Sequence, residues 1–168
     1  SNVDGLMSPT SVRIDSEFLE ATPQLQVISQ AAVGYNNVDI ASATKHGVAI
    51  CNTPGVLNAA VADLTMVIII SLARRFFEFE AHSRSGAWGR RETYPPLGHD
   101  IKGKTLGVVG FGRIGQEVAH RMQNLGMRVI WYDVFNAAPP DAPKAMYRSL
   151  DDLMSESDFI TIHTNLTA

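Results

Sequence analysis

The sequence has 168 residues, 45% of them hydrophobic and 18% charged, which is typical of a globular protein with a buried core. Its net charge of -3 and the lack of any Lys or Arg run argue against nucleic acid or an anionic membrane surface as partner. The most apolar run, residues 64–73, is too short for a bilayer, which needs about 20 residues, and the single Cys51 cannot form an internal disulfide. We therefore expect a small-molecule ligand and a reducing, cytoplasmic setting.

Short β-branched runs alternate with helical stretches in the first third of the chain. Strands are predicted at residues 3–7, 25–29 and 48–51, and a helix at 37–46 that ends at Gly47. This βαβ order predicts parallel strands.

A long helix is predicted over residues 58–85, uniformly apolar at 66–70 and amphipathic further on. A helix that is apolar all round for two turns is usually buried on several sides, so we expect it between domains or subunits. The Gly- and Pro-rich segment 86–100 is predicted to be a loop.

The βαβ order then resumes in the last third of the chain. Strands are predicted at 105–110, 128–133 and 158–163, and a helix at 113–125 that stops at Gly126. Ser149 followed by Asp152 resembles a capping box and predicts the start of another short helix.

Two phosphate-binding patterns overlap at the start of this region. Residues 98–105 read G-x-x-x-x-G-K-[ST], the P-loop pattern, which needs a strand before it and a helix after it. Here Pro95 and Pro96 precede the pattern and a predicted strand follows Thr105, so the order is reversed. We interpret residues 102–104 as a polar turn that leads into the strand.

The second pattern, G-x-G-x-x-G, has its required context on both sides. Gly110 permits the tight turn, Gly112 lets the backbone approach a pyrophosphate, and Gly115 lets the helix pack on the strand. Asp133 ends the second strand, where it would accept hydrogen bonds from ribose hydroxyls, and no basic residue follows before Lys144. The pattern favours NAD over NADP. A glycine turn without a ligand and an S-adenosylmethionine site are the alternatives.

Four segments together cover nearly the whole chain: LQVISQAAVGYNNVDI (25–40), CNTPGVLNAAVADLTMVIIISLARR (51–75), LGHDIKGKTLGVVGFGRIGQEVAHRMQNLGMRVIWYD (97–133) and SLDDLMSESDFITIHTNLT (149–167). They resemble the D-isomer-specific 2-hydroxyacid dehydrogenases, and within that family the glyoxylate/hydroxypyruvate reductase-like members. The resemblance implies an NAD-dependent oxidoreductase that acts on the CH-OH group of a small D-2-hydroxy acid, or reduces the corresponding 2-oxo acid.

The resemblance also implies the architecture, an α/β protein with parallel sheets. Residues 1–57 would be part of a flavodoxin-like substrate domain, joined by a long helix to the first βαβαβ half of a Rossmann domain at 101–168. Residues 58–100 would be the interdomain helix and an arm through which two copies form a homodimer.

Site residues follow by position in the family pattern. Val33 and Gly34 would offer backbone N–H groups to the substrate carboxylate, while Arg113 and Ile114 would offer theirs to the pyrophosphate. The family's catalytic Arg, Glu and His would lie beyond Ala168, so the chain looks like an internal fragment. We expect it to be inactive alone and to bind NAD more weakly than an intact relative.

Two residues depart from the family pattern. Asn36 stands where an Asp is usual, which removes a charge near the substrate loop, and Asn165 stands where a Pro is usual, on the adenine side of the cofactor. Both weaken any inference about substrate preference.

No histidine in the chain is expected to be catalytic. His163 is the best placed, because it closes a strand at the carboxyl edge where open α/β sheets bind ligands, but the resemblance implies no catalytic role there. The other four are expected to be structural or exposed: His46, His82, His99 and His120. The sequence also lacks H-E-x-x-H, paired-Cys and G-x-S-x-G patterns, so no metal is expected.

Two other classes of function remain open. The chain could be a binding module without turnover, as part of an NAD-sensing regulator of the same family. It could also belong to a subunit whose apolar helix serves mainly in assembly.

Overall fold

The computed structural model describes residues 3–135 and 144–164. The chain divides into two compact units, Ser1–Leu57 (unit 1) and Asn58–Ala168 (unit 2). Each has helices and a sheet in which every described strand pair is parallel. The predicted fold class, α/β with parallel sheets, is confirmed. The separate arm at 58–100 stays a prediction.

Unit 1 is a three-stranded sheet with two short helices. Its elements are β1 (Gly5–Ser8), α1 (Ser16–Glu20), β2 (Val27–Gln30), α2 (Ile40–Lys45) and β3 (Ala49–Cys51), and the strand order is β1-β2-β3. The apolar core contains Ile14, Leu19, Leu25, Ile28, Val38, Ala43 and Val48. Because all three strands are parallel, their carboxyl ends meet at one edge, where residues 31–36 and 52–53 begin.

The predicted start of α2 at residue 37 is wrong by three residues. Asn37 lies in a turn and Val38 forms an isolated parallel bridge with Ile14. The Ile14 N–H donates to the Asn37 carbonyl at 2.8 Å, and the Asp39 N–H donates to the Ile14 carbonyl at 2.8 Å. The helix begins at Ile40, where the Asp39 carboxylate accepts from the Ser42 N–H at 2.9 Å as an N-cap. The pairing with Ile14 is non-local, so helical periodicity could not reveal it.

Unit 2 contains the longer helices and a second sheet. Its elements are α3 (Asn58–Ala73), α4 (Phe76–Arg84), β4 (Thr105–Val109), α5 (Arg113–Asn124), β5 (Arg128–Tyr132), β6 (Met146–Tyr147), α6 (Leu150–Glu156) and β7 (Phe159–Ile162). The strand order is β6-β5-β4-β7, so the order reverses beside β4, as in one half of a Rossmann sheet. No helix in the described part of the chain is long and apolar enough to cross a membrane.

The single helix predicted over 58–85 is broken in two. Arg75 adopts a left-handed φ of 53°, and the His99 N–H donates to the Ala73 carbonyl at 2.7 Å, which satisfies one of the carbonyls at the end of α3. A Cβ on Gly98 would lie 2.5 Å from that same carbonyl oxygen. The first glycine of the rejected P-loop pattern therefore has a packing role, and the chain from residue 97 to 100 crosses the end of α3.

The core of unit 2 lies between the sheet and the helices α3 and α5. Its fully buried members include Leu106, Val108, Val118, Ala119 and Met122. The Arg121 guanidinium bonds Asp63 on α3 at 2.6 Å and Glu117 on α5, which fixes the two helices against each other. Partners on both sides raise the pKa of Arg121, with the Glu117 hydrogen bond as the largest cause.

The last elements of unit 2 agree with the capping prediction but include a strand that the sequence did not reveal. Ser149 caps α6 by accepting from the Asp152 N–H at 3.2 Å, as its capping-box spacing predicts. The missed strand, β6, has two residues and follows the segment 136–143, which lies outside the described residues. Two residues are too few to show an alternating pattern.

Candidate functional site

The glycine turn, residues 110–115, leaves the carboxyl end of β4 at the point where the strand order reverses. Gly110 has a φ of +90°, and a Cβ there would lie 2.6 Å from the His163 carbonyl oxygen. Its N–H donates to the Tyr132 carbonyl at 2.8 Å. A side chain at this position would therefore be strained twice, by the backbone conformation and by the neighbouring strand end.

Gly112 and Gly115 differ in what surrounds them. A Cβ on Gly115 would collide with the Gly110 carbonyl oxygen and lie 3.2 Å from Val108 Cγ1, so this glycine lets α5 pack closely on β4. A Cβ on Gly112 would meet no described atom within 4 Å, and its φ of -74° is ordinary for any residue. Nothing in the described structure requires a glycine at 112, whereas close approach by a ligand does.

The first turn of α5 offers unpaired backbone donors. The N–H groups of Gly112, Arg113 and Ile114 donate to no acceptor in residues 3–135 and 144–164. Gly112 is the N-cap and has no side chain that could accept from them. A helix N-terminus with free N–H groups and the positive end of its dipole is a site for an anion such as a pyrophosphate.

The carboxylate of Asp133 lies beside this turn, directly after β5. Its Oδ2 accepts from the Phe111 N–H at 2.8 Å, and its Oδ1 accepts from the Phe135 N–H at 3.0 Å. Each oxygen keeps a second acceptor direction. Asp133 therefore holds the glycine turn and remains able to bind hydroxyl groups.

Phe111, the middle residue of the first Gly-x-Gly, anchors the turn in the core. Its ring stacks on Trp131 with centroids 4.6 Å apart and planes 15° apart, and both residues are buried. Its carbonyl accepts from Gln116 Nε2 at 2.8 Å. The sequence analysis assigned no role to this residue, although an apolar side chain between two glycines was a visible signal of an anchored turn.

Val33 and Gly34 lie in unit 1, in the loop of residues 31–36 that follows β2. The carbonyls of Ala32 and Val33 accept from the Thr53 N–H at 3.0 Å and from Asn52 Nδ2 at 2.9 Å. The N–H groups of Val33 and Gly34 donate to no described residue. The loop therefore has the carbonyls of Ala32 and Val33 fixed, while the adjacent N–H groups of Val33 and Gly34 have no acceptor among the described residues.

His163 directly follows β7, beside Gly110. Its N–H donates to the Val109 carbonyl at 2.7 Å, and its ring Nε2 lies 2.9 Å from Thr161 Oγ1. Burial lowers the pKa of His163 below its ordinary value. These bonds hold His163 in a fixed position beside the glycine turn. Of the two residues that depart from the family pattern, Asn165 lies outside the described residues and Asn36 is exposed.

The other titratable groups do not gather into a further centre. In residues 3–135 and 144–164, no three His, Cys, Asp or Glu side chains are grouped so that they could hold a metal ion. His46, His99 and His120 are exposed, and His82 packs edge-on against Tyr94 with ring centroids 5.5 Å apart.

Comparison with known proteins identifies the class. Residues 66–168 match the family model described as D-isomer specific 2-hydroxyacid dehydrogenase, NAD binding domain. The chain belongs to this family, and its predicted cofactor, NAD, is the one that the matched domain binds.

Individual relatives show how much of such a protein the chain represents. It is 44% identical to the glyoxylate reductase of Thermococcus kodakarensis, an alignment that covers 99% of this chain and 51% of that protein. A 2-hydroxyacid dehydrogenase from Ketogulonicigenium vulgare superposes with a TM-score of 0.89 at 31% identity, over 99% of this chain and 52% of that one. The D-lactate dehydrogenase of Aquifex aeolicus, solved with NAD and lactic acid, superposes with a TM-score of 0.86 at 28% identity, over 98% of this chain and 49% of that one. The chain spans about half the length of the curated relatives it matches.

Proposed function

We propose that this chain is part of an NAD-dependent oxidoreductase that reduces glyoxylate, hydroxypyruvate or a related small 2-oxo acid. The observation that carries the proposal is the glycine turn, in which three N–H groups at the start of α5, without an acceptor among the described residues, lie beside the fixed carboxylate of Asp133. The turn occupies the reversal of strand order, where open α/β sheets bind their ligands.

The described residues fit the cofactor in charge and in shape. Arg113 and Ile114 would donate their N–H groups to the pyrophosphate, and the open side of Gly112 leaves room for it. Asp133 would accept from the ribose hydroxyls and repel a 2′-phosphate, which favours NAD over NADP. When bound, the cofactor supplies the hydride that converts a 2-oxo acid into a 2-hydroxy acid.

Unit 1 would hold the acid. The N–H groups of Val33 and Gly34 would bind the substrate carboxylate, since they are adjacent and donate to no other described residue. Reduction also needs a proton donor for the developing alkoxide and a cation near the carbonyl. We find no counterpart in this sequence to the family segments that carry that His, its Glu and that Arg.

The homodimer is also a proposal. The helix α3 has a buried side at Ala62 and Ile69, yet other apolar residues of α3 and α4 are exposed, including Leu64 at 60%, Leu72 at 61% and Phe77 at 60%. An exposed apolar surface of this kind is typical of a region that associates. The single, unpaired Cys51 agrees with the proposed cytoplasmic setting.

The test of the cofactor site is a titration of the 168-residue chain with NADH and with NADPH. The variant Trp88→Phe removes the exposed tryptophan. Trp131, which contacts Phe111 of the glycine turn, is then the only tryptophan in the sequence and serves as the fluorescence probe. Quenching of its emission by NADH, with at least about tenfold weaker binding of NADPH, is the expected result. Equal binding of the two, or no binding, would contradict the proposed role of Asp133.

The alternative, a non-catalytic NAD-sensing module, would bind the cofactor but need not bind a substrate acid. Oxalate, a planar acid that cannot be reduced by hydride, should shift the amide signals of Val33 and Gly34 in NMR spectra if unit 1 holds a substrate carboxylate. NADH binding without any response to oxalate favours the sensor. Oxidation of NADH with glyoxylate by this chain alone would refute the assignment of proton transfer to residues outside it.

A further inference from the structure

A buried amide relay lies at the base of loop 31–36 in unit 1. Gln30, the last residue of β2, is fully buried, and its Nε2 donates to Asn37 Oδ1 at 2.7 Å. Asn37 Nδ2 in turn donates to the Val12 carbonyl at 2.6 Å. Gln30 and Asn37 are the residues on either side of the loop, so their hydrogen bond closes it.

The orientation of both amides is fixed by their partners. The Val12 carbonyl can only accept, so Asn37 must present its NH2 group to it and its oxygen to Gln30. Gln30 must then present its NH2 group to Asn37, which leaves Gln30 Oε1 buried without a donor among the described residues. The Val12 carbonyl therefore holds both amides in a single orientation.

The relay is one of two sets of contacts that shape the loop. Asn52 and Thr53 hold the carbonyls of Val33 and Ala32, while the relay and the Ala31 N–H bond to the Ser8 carbonyl, 3.0 Å, hold the base. No side chain of the loop itself contributes to these bonds. The direction of the free N–H groups at Val33 and Gly34 therefore depends on residues outside the loop.

We propose that Gln30 and Asn37 are a positioning pair that sets the two N–H donors of Val33 and Gly34 in the geometry a carboxylate needs. This inference rests on the proposed acid-binding role of that loop. The pair does not touch the acid. It acts by fixing the distance between the two ends of the loop, which lowers the conformational entropy that the loop would otherwise lose on binding.

The variant Gln30→Met tests the pair, because Met has a similar volume and no hydrogen-bonding amide. Two results are expected from NMR of the 168-residue chain: faster hydrogen exchange and shifted amide signals in residues 31–36, and about tenfold weaker oxalate binding. NADH affinity, which belongs to unit 2, should stay as in the wild type.

The matched control is Leu19→Ala, which removes a buried side chain from the core of unit 1 without touching the relay. This variant should lower the stability of unit 1 and leave the chemical shifts of the loop amides and the oxalate affinity unchanged. The pair is not a positioning device if Leu19→Ala produces the same changes as Gln30→Met, or if Gln30→Met leaves both loop exchange and oxalate binding as in the wild type.

A double-mutant cycle gives a second test. If the relay acts as one device, Asn37→Leu alone, Gln30→Met alone and both together should weaken oxalate binding by similar factors, whereas additive effects would contradict the proposal. Should Gln30→Met fail to fold, Asn37→Asp keeps the acceptor for Gln30, replaces the donor to Val12 by a carboxylate oxygen, and should still speed exchange in the loop. Wild-type chain that binds no oxalate would contradict the acid-binding role of Val33 and Gly34, and loop exchange would then decide the role of Gln30.

Discussion

The glycine turn of unit 2 and loop 31–36 of unit 1 offer the same chemistry by different means. Each follows a parallel strand and has adjacent backbone N–H groups that donate to no acceptor in the described part of the chain. The glycine turn is shaped by steric demands at Gly110 and Gly115 and by one carboxylate, whereas loop 31–36 is shaped by side-chain amides outside it. A turn set by glycine spacing can be predicted from sequence, and a loop set by distant amides cannot.

The largest effect is expected at Gly115. Gly115→Val places a branched side chain against the Gly110 carbonyl oxygen, which is backbone and cannot move without displacing the whole turn. We expect a loss of about 1–3 kcal/mol of stability, and no measurable NADH binding. Thermal unfolding and a fluorescence titration measure the two effects.

Gly112→Ala is the matched comparison within the same turn. A Cβ at 112 meets no described atom within 4 Å, so stability should stay within about 0.5 kcal/mol of the wild type. NADH affinity should still fall, because the added methyl group occupies the space into which the pyrophosphate would come. A large loss of stability in Gly112→Ala would show that this glycine, too, is needed by the fold rather than by the ligand.

A smaller effect is expected from Asp133→Asn. The asparagine oxygen can replace only one of the two carboxylate acceptors, so either the Phe111 N–H or the Phe135 N–H loses its partner. Hydrogen bonds to charged groups contribute about 1.5–3 kcal/mol, so we expect NADH affinity to fall by roughly 10- to 100-fold. Asp151→Asn, on the first turn of α6, is the control for a change of charge alone. Unchanged NADH binding in Asp133→Asn would contradict the proposed role of Asp133 in the cofactor site.

The same contrast explains what the sequence could and could not reveal. Glycine spacing predicted the tight turn at Gly110 and the close helix packing at Gly115, since these constraints are local, while the ribose-binding role of Asp133 stays a prediction. The hydrogen bonds of Asp133 to the turn, and the relay between Gln30 and Asn37, depend on chain segments that meet only after folding. The break between α3 and α4 was missed for the same reason, because Gly98 approaches Ala73 from 25 residues further along the chain.

The pH dependence of stability should distinguish His163 from the carboxylates. Burial lowers the folded-state pKa of His163 below its ordinary value, so the folded state resists protonation. Stability is then fully present above about pH 6.5, and it is lost as pH falls from there through the folded pKa. His163→Gln should flatten this part of the curve for unit 2, as followed by the emission of Trp131. A curve unchanged between pH 7 and 5 in the variant would contradict the assignment.

The carboxylates contribute only at lower pH. A backbone hydrogen bond from Thr105, followed by one from Lys104, lowers the pKa of Asp158, and hydrogen bonds from Arg148 and then Arg128 lower the pKa of Glu156. Their stabilisation is present above their ordinary values and is lost as pH falls through the lowered ones. The His163→Gln variant should therefore keep the wild-type acid limb below about pH 4.5.

The smallest effect is expected from Asp100→Asn at the end of α3. The Arg74–Asp100 ion pair, 3.1 Å long, joins two exposed side chains, and such pairs contribute about 0.2–1 kcal/mol. The backbone bond from His99 to Ala73 and the close approach of Gly98 remain in this variant. Gly98→Ala should lower the stability far more than Asp100→Asn, since its Cβ would press on the backbone of Ala73 and Arg74. Equal losses in the two variants would mean that the ion pair, and not glycine packing, holds the break between α3 and α4.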